Sequence, residues 1–201
     1  MKESARIGVV VLLTSIAAGV FTATAVHAVY YAPQAQAPEP ALEAVAPALN
    51  VSSSERPAQL QIPKLNIDSS VLGVGLGVTG NMAVPPNFTD VGWYKYGPVP
   101  GQWGSAVIDG HVDNGLSLAG VFKRLNELSV GDDVYIVTTS GTRLHFVVTD
   151  VESYPYEAVP VGQVFDQADA KRLNLITCEG SWVEGGKTYD HRLVVYTTLV
   201  S

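Results

Sequence analysis

A length of 201 residues predicts one folded domain, with enough chain for a proper core once the N-terminus is set aside. The net charge of −7 comes with no basic stripe to neutralise phosphates, which excludes a nucleic-acid partner. No internal repeat, metal cluster, phosphate loop or cofactor motif is legible, and no cofactor or metal is expected.

The first six residues carry two cations, Lys2 and Arg6, and residues 1–6 are predicted to stay in the cytoplasm as a short tail. Residues 7–26 then run without a charge, matching the ~20 residues that cross a bilayer. A single-pass transmembrane signal anchor over 7–28 follows, with the rest of the chain outside the cell. Ala23-Thr-Ala25 and Val26-His-Ala28 both resemble signal-peptidase sites, so a cleaved leader is the alternative. The apolar run exceeds the usual ~7–15 residue signal core, which favours an anchor that is kept. Residues 29–57, rich in Pro and Ala with a Ser52-Ser-Ser-Glu end, read as an extended extracellular linker.

Residues 58–201 read as mainly β. Leu60, Ile62, Leu65 and Ile67 fall at strand spacing, with Pro63 marking an edge or bend. A short strand spans 105–110. Residues 133–139 and 142–150 form a predicted hairpin across Ser140-Gly141. Two further strands rich in β-branched residues are expected at 172–177 and 193–199. Helical pattern is scarce, with one short helix predicted at 118–125 and another at 161–171. Six to eight short strands with turn punctuation predict a closed or nearly closed β-barrel.

The only cysteine, Cys178, ends an apolar run just where the chain turns Gly-rich. Exported proteins tend to pair their cysteines or lack them, so a single thiol is either reactive or a small buried hydrophobe. Arg192 opens the next strand; if the two strands pair antiparallel, thiol and guanidinium lie at the same end of the sheet. A 13-residue loop, 179–191, would then arch over them. His111 also lies at a strand end. Thiol, imidazole and guanidinium are the inventory of thiol acyl transfer: nucleophile, proton shuttle and oxyanion support. Spacing alone does not choose His111 over His191, although His191 points to the opposite face from its neighbour Arg192 in a strand.

These residues resemble the sortases, membrane-anchored cysteine transpeptidases of Gram-positive bacteria, over about residues 59–200. Leu175-Ile-Thr-Cys178 is similar to the Leu-x-Thr-Cys signature of the family's nucleophile. Gly110-His111-Val-Asp113 resembles the segment of the catalytic histidine, and Arg192-Leu-Val-Val195 the strand opening with the catalytic arginine. Ile62-Pro-Lys-Leu-Asn-Ile67, Gly92-Trp-Tyr94, Pro100-Gly101 with Gly104, and Gly120-Val-Phe-Lys-Arg-Leu125 match as well, most like the class E and class F members of actinobacteria and relatives. Glu179, an acid directly after the cysteine, departs from many members and tends to raise a thiol pKa. The position of the arginine also varies within these classes.

The resemblance implies an eight-stranded sortase-type barrel with one or two short helices. It also implies a cysteine transpeptidase that cleaves an LPXTG- or LAXTG-like sorting signal between Thr and Gly through a thioacyl-enzyme. Cys178, His111 and Arg192 are the implied catalytic residues; Thr177, Glu179, Tyr154 and Tyr156 are the implied substrate contacts. The implied partners are secreted proteins with a C-terminal sorting signal, an amine acceptor (a peptidoglycan precursor or a pilin lysine), and the membrane through the N-terminal helix. Two alternatives stand beside this reading. One is another cell-envelope thiol enzyme of the L,D-transpeptidase kind, whose Ser-His-Gly-Cys-type motif is missing here. The other is a barrel that binds peptides without cutting them.

Overall fold

The structure, a computed structural model, describes residues 55–78, 80–114 and 118–200. The expected tail, anchor and most of the linker lie outside the described residues.

Eight strands close into a barrel: β1 (Pro57–Ile62), β2 (Ile67–Val74), β3 (Val91–Tyr94), β4 (Gly104–Asp109), β5 (Asp133–Thr138), β6 (Arg143–Pro155), β7 (Lys171–Val183) and β8 (Thr188–Leu199). Around the barrel their order is β1-β2-β3-β4-β7-β8-β6-β5, and β5 pairs back onto β1. Neighbours run antiparallel except β2 with β3 and β4 with β7, which are parallel and need crossovers. The crossover from β4 to β7 contains the β5–β6 hairpin and one short helix, α1 (Val161–Phe165). Closure leaves no open sheet edge to template aggregation.

Alternation along each strand builds two layers. Leu173, Leu175, Leu193 and Val195 point inward with Leu60, Ile108, Ile136 and Phe146 to fill the barrel. Ile176, Val194 and Tyr196 point outward, where Tyr94, Met82 and Val164 of α1 cover them. A buried Leu such as Leu175, 0% exposed, is worth ~2–5 kcal/mol against Ala. Phe122 and Leu125, from the segment between β4 and β5, join the same inner core.

The β5–β6 hairpin and the break at Pro63 follow the sequence pattern. Pro63 opens a 3-10 turn, and Asn66, left-handed at φ 55°, ends it so that β2 can fold back on β1. The helix expected at 118–125 does not form. Its amides are spent elsewhere: Gly120, Val121 and Phe122 donate to the carbonyls of Val112, Phe88 and His111 rather than one turn back. Only a 3-10 turn, Leu125–Glu127, follows. The helix expected at 161–171 stops after α1, because Gly104 draws the chain into the sheet: its amide bonds Ala170 and its register partner is Lys171.

The arching loop expected at 179–191 is instead an extension of the β7–β8 pair. Trp182 faces Tyr189 and Val183 faces Thr188 across the ladder, and the two aromatic rings meet edge-on at 5.4 Å. A bulge between Glu179 and Trp182 hides the alternation. Gly180 sits in the bulge at φ 85°, the left-handed region that favours glycine, and the amide of Ser181 is held by the Asp190 carboxylate at 2.8 Å.

Candidate active site

Cys178 on β7 has Arg192 of β8 as its register partner, and Arg192 in turn faces Tyr154 of β6. Residues directly opposite across a sheet share a face, so thiol, guanidinium and Tyr154 form one row over three strands. The row continues the outward face of Ile176 and Val194. Cys178 is half-buried and opens into a cleft of about 190 Å³ at the barrel rim, with Thr177, Glu179, Lys123 and Tyr189 among its walls. A larger cleft of about 410 Å³ lies between the start of β2 and residues 119–124. It shares Lys123 but lacks the thiol.

Two hydrogen bonds tie the end of β4 to β7. The Gly110 amide donates to the Ile176 carbonyl at 3.3 Å, and the Thr177 hydroxyl donates to the Gly110 carbonyl at 2.7 Å. His111 and Cys178 are each the next residue beyond this clasp. His111 is buried, edge-on to Phe88 at 5.5 Å, with Nε2 2.8 Å from the Pro85 carbonyl. A carbonyl only accepts, so in the neutral ring Nε2 carries the proton and Nδ1 the lone pair. Burial pulls the imidazole below its ordinary 6.5, while the Pro85 carbonyl and the Asp113 charge pull the other way. A ring that is neutral at pH 7 is able to act as a base. The backbone of His111 is fixed too: its carbonyl accepts from Phe122 at 2.9 Å, and Gly120 presses directly against it.

Arg192 is 3% exposed. Its guanidinium donates to the carbonyls of Tyr189 (3.2 Å) and His191 (3.0 Å) and to the Thr188 hydroxyl (2.9 Å). It also stacks over the Tyr156 ring at 4.5 Å. A planar fork held this way is ordered in advance, on the strand position opposite the cysteine. His191 turns away and pairs with Asp190 at 2.8 Å.

At the rim, the buried Asp113 carboxylate accepts the Tyr189 hydroxyl at 2.7 Å and the Lys123 ammonium at 3.3 Å. Burial first, then the Asp113 hydrogen bond and charge and the nearby Cys178, hold the Tyr189 phenol protonated far above its ordinary range.

A family model described as the sortase domain matches residues 60–200. The chain belongs to the sortase family. Sortases are cysteine transpeptidases, and this membership sets aside the L,D-transpeptidase alternative. No curated protein matches the chain. Among solved structures it is similar to sortase C-1 from Actinomyces oris, with a TM-score of 0.55 and 24% identity over 72% of this chain and 71% of that one. Sortase A from Corynebacterium diphtheriae gives 0.56 and 22% over 73% and 62%. The sortase D5 transpeptidase from Clostridium perfringens gives 0.54 and 18% over 73% and 79%. At these identities the structural likenesses speak for the barrel fold alone.

The structure thus gathers Cys178, Thr177 and Glu179 at one cleft, with Arg192, Tyr154 and Tyr156 along the outer face and His111 beneath the rim. Some of the predicted contacts are already engaged within the chain. The Thr177 hydroxyl is on Gly110, Tyr154 accepts from the Tyr196 hydroxyl at 3.2 Å, and Tyr156 supports Arg192. Sequence reasoning missed Tyr189, Lys123, Thr188 and the Pro85 carbonyl. Strand parity puts Thr188 on the face of Arg192, which was a usable signal; the others come from distant segments with no pattern of their own. Among the described residues no cluster of His, Cys, Asp and Glu is arranged to hold a metal.

Proposed function

We propose that the chain is a membrane-anchored sortase of the class E or class F kind, with its barrel outside the cell. It cleaves an LPXTG- or LAXTG-like sorting signal between Thr and Gly and passes the protein to an amine of the cell wall or of a pilin. The observation that carries this is the pairing of Cys178, at the cleft, with Arg192 on the next strand, one residue beyond the Thr177–Gly110 clasp that precedes His111.

The thiol of Cys178 gives its proton to His111, and the sulfur attacks the Thr carbonyl. The S–C bond forms, and negative charge collects on the carbonyl oxygen beside Arg192, which offsets it. As the C–N bond breaks, the imidazolium returns the proton to the departing glycine amine, leaving a thioester on Cys178. An incoming amine attacks the thioester carbon and gives its proton to His111; the new amide C–N bond forms, the C–S bond breaks, and the imidazolium returns the proton to the departing sulfur, restoring the thiol. Nδ1 is the nitrogen suited to both transfers, since Nε2 faces the Pro85 carbonyl. Glu179 and Tyr154 border the path of the peptide.

The test is cleavage of internally quenched LPXTG and LAXTG peptides by the full-length chain, with and without an amine such as diaminopimelate or a lysine peptide. Amine-dependent ligated product supports the reading. Slow hydrolysis that no amine diverts, or no turnover of either peptide by the folded chain, contradicts it.

A further inference from the structure

The larger cleft, about 410 Å³, contains neither thiol nor imidazole, yet its walls touch the surroundings of both. Phe88 meets the His111 ring edge-on at 5.5 Å, and Gly120 packs directly on the His111 backbone. Lys123 lines this cleft and the Cys178 cleft alike, so the two adjoin at its side chain. Leu65, Ile67, Phe88 and Val121 give the larger cleft an apolar lining, and its charged residues are Asp68, Lys123 and Arg124. Arg124 is turned onto Glu127, with contacts of 2.7 and 2.6 Å, which leaves Lys123 as the cation that serves the cleft.

We propose that this cleft seats the incoming amine, and that it takes an amine whose own carbon also carries a carboxylate, the amino-acid head that diaminopimelate presents. This rests on the two-substrate reaction proposed for the chain, and it names the class of the second substrate. Once cut, the sorting peptide stays on Cys178 as a thioester, so the acceptor needs its own path to that carbon. The larger cleft offers one from the side of His111, the base that takes the amine's proton. Its volume is on the scale of a small-molecule site, enough for an amino-acid head and its aliphatic stem. The stem lies on the apolar lining and the carboxylate on the Lys123 ammonium, which has three donors and places one on Asp113 at 3.3 Å. That side chain is 47% exposed, with room to turn to a ligand. With the carboxylate at Lys123, the amine on the same carbon stands where the two clefts adjoin. Asp68, on the β2 side, is placed for an N–H at the far end of the stem. A pilin lysine carries no carboxylate beside its amine and gains nothing from Lys123.

The experiment measures how two amines, meso-diaminopimelate and Nα-acetyl-lysine amide, resolve the thioester of an LPXTG peptide on the full-length chain in detergent micelles. Comparing two amines within one variant cancels any general loss of activity. The wild type is expected to show a KM for diaminopimelate about three- to tenfold below that for the lysine amide, the weight of one hydrogen bond to a charged group. Lys123→Gln is expected to erase the difference by raising the diaminopimelate value alone. Ala119→Phe, at an exposed position that lines the larger cleft and not the thiol cleft, should raise both values. Equal values in the wild type, or a Lys123→Gln change shared by both amines, overturn the carboxylate assignment. Unchanged values in Ala119→Phe overturn the cleft. Binding is also read without any peptide: diaminopimelate titrated onto the chain is expected to shift the NMR amide signals of Thr89, Gly120 and Val121, and cadaverine, which has no carboxylate, is not. No shift at these amides overturns the proposal, whether or not Ala119→Phe folds. Shifts there with no cleavage of any sorting peptide would count against the sorting signal and not against this cleft, so the two failures are separately visible.

Discussion

Gly120 is the position where the smallest possible change reaches His111 without touching the reacting groups. Its backbone lies so close to His111 that a β-carbon there would sit 2.6 Å from the His111 carbonyl carbon and 3.0 Å from its own β-carbon, and closer still to the carbonyl oxygen. Real β-carbons essentially never come within 3.0 Å, so Gly120→Ala forces the two backbones apart by at least 0.4 Å. The oxygen contact pushes this toward 1 Å. Nothing flexible is available to yield, since the obstacle is backbone whose carbonyl also accepts from Phe122 at 2.9 Å. Overpacking of this sort costs ~1–3 kcal/mol, and a displacement approaching 1 Å at a reacting group costs up to ~100-fold in rate. Gly120→Ala is therefore expected to lower kcat/KM for peptide cleavage by ~10–100-fold while the thermal midpoint falls by only a few degrees. Gly162→Ala is the control: it lies in α1 with open space around it and should keep full activity. Wild-type activity in Gly120→Ala would refute the claim that this contact sets the place of the imidazole.

Thr177→Val removes the donor to the Gly110 carbonyl at almost constant volume, and is expected to cost ~1–3 kcal/mol in denaturant unfolding with a fall in kcat rather than a rise in KM. Arg192→Lys cannot span Thr188, Tyr189 and His191 together or stack flat on Tyr156, and should lose ~100-fold in kcat/KM by steady-state kinetics. Because His111 is held below its ordinary 6.5, the folded chain binds fewer protons than the unfolded one as pH falls through 6.5, so stability drops with falling pH in that window. Urea midpoints at pH 7.5 and 5.5 should show this loss in the wild type and less of it in His111→Gln. The lowered carboxylates of Asp132 beside Lys64 and Asp169 beside Arg172 act only at more acid pH, below ~4.

Cys178 stands out in the sequence as the only thiol, where an apolar run gives way to glycine, and its place on a cleft at a strand end follows from that position. The β5–β6 hairpin was legible from alternation on either side of Ser140-Gly141. The extension of β7 and β8 was not, because the bulge after Glu179 shifts the alternation and three glycines, Gly180, Gly185 and Gly186, mask it. The failed helix at 118–125 shows a local pattern overridden by distant acceptors, the carbonyls of Phe88, His111 and Val112. Asp113 and Tyr189 meet across 76 positions of sequence, and the Pro85 carbonyl is a backbone atom that any residue would offer. Strand parity gives the face a side chain takes, but which loop closes over the barrel end depends on tertiary packing.

Intact mass of the full-length chain after incubation with an LPXTG peptide and no amine tests the central claim most directly. The account predicts an adduct of the peptide cut after Thr, bound as a thioester, labile to hydroxylamine and absent in Cys178→Ala. An adduct that persists in folded Cys178→Ala, or ligated product formed by that variant, would contradict thiol acyl transfer at this residue.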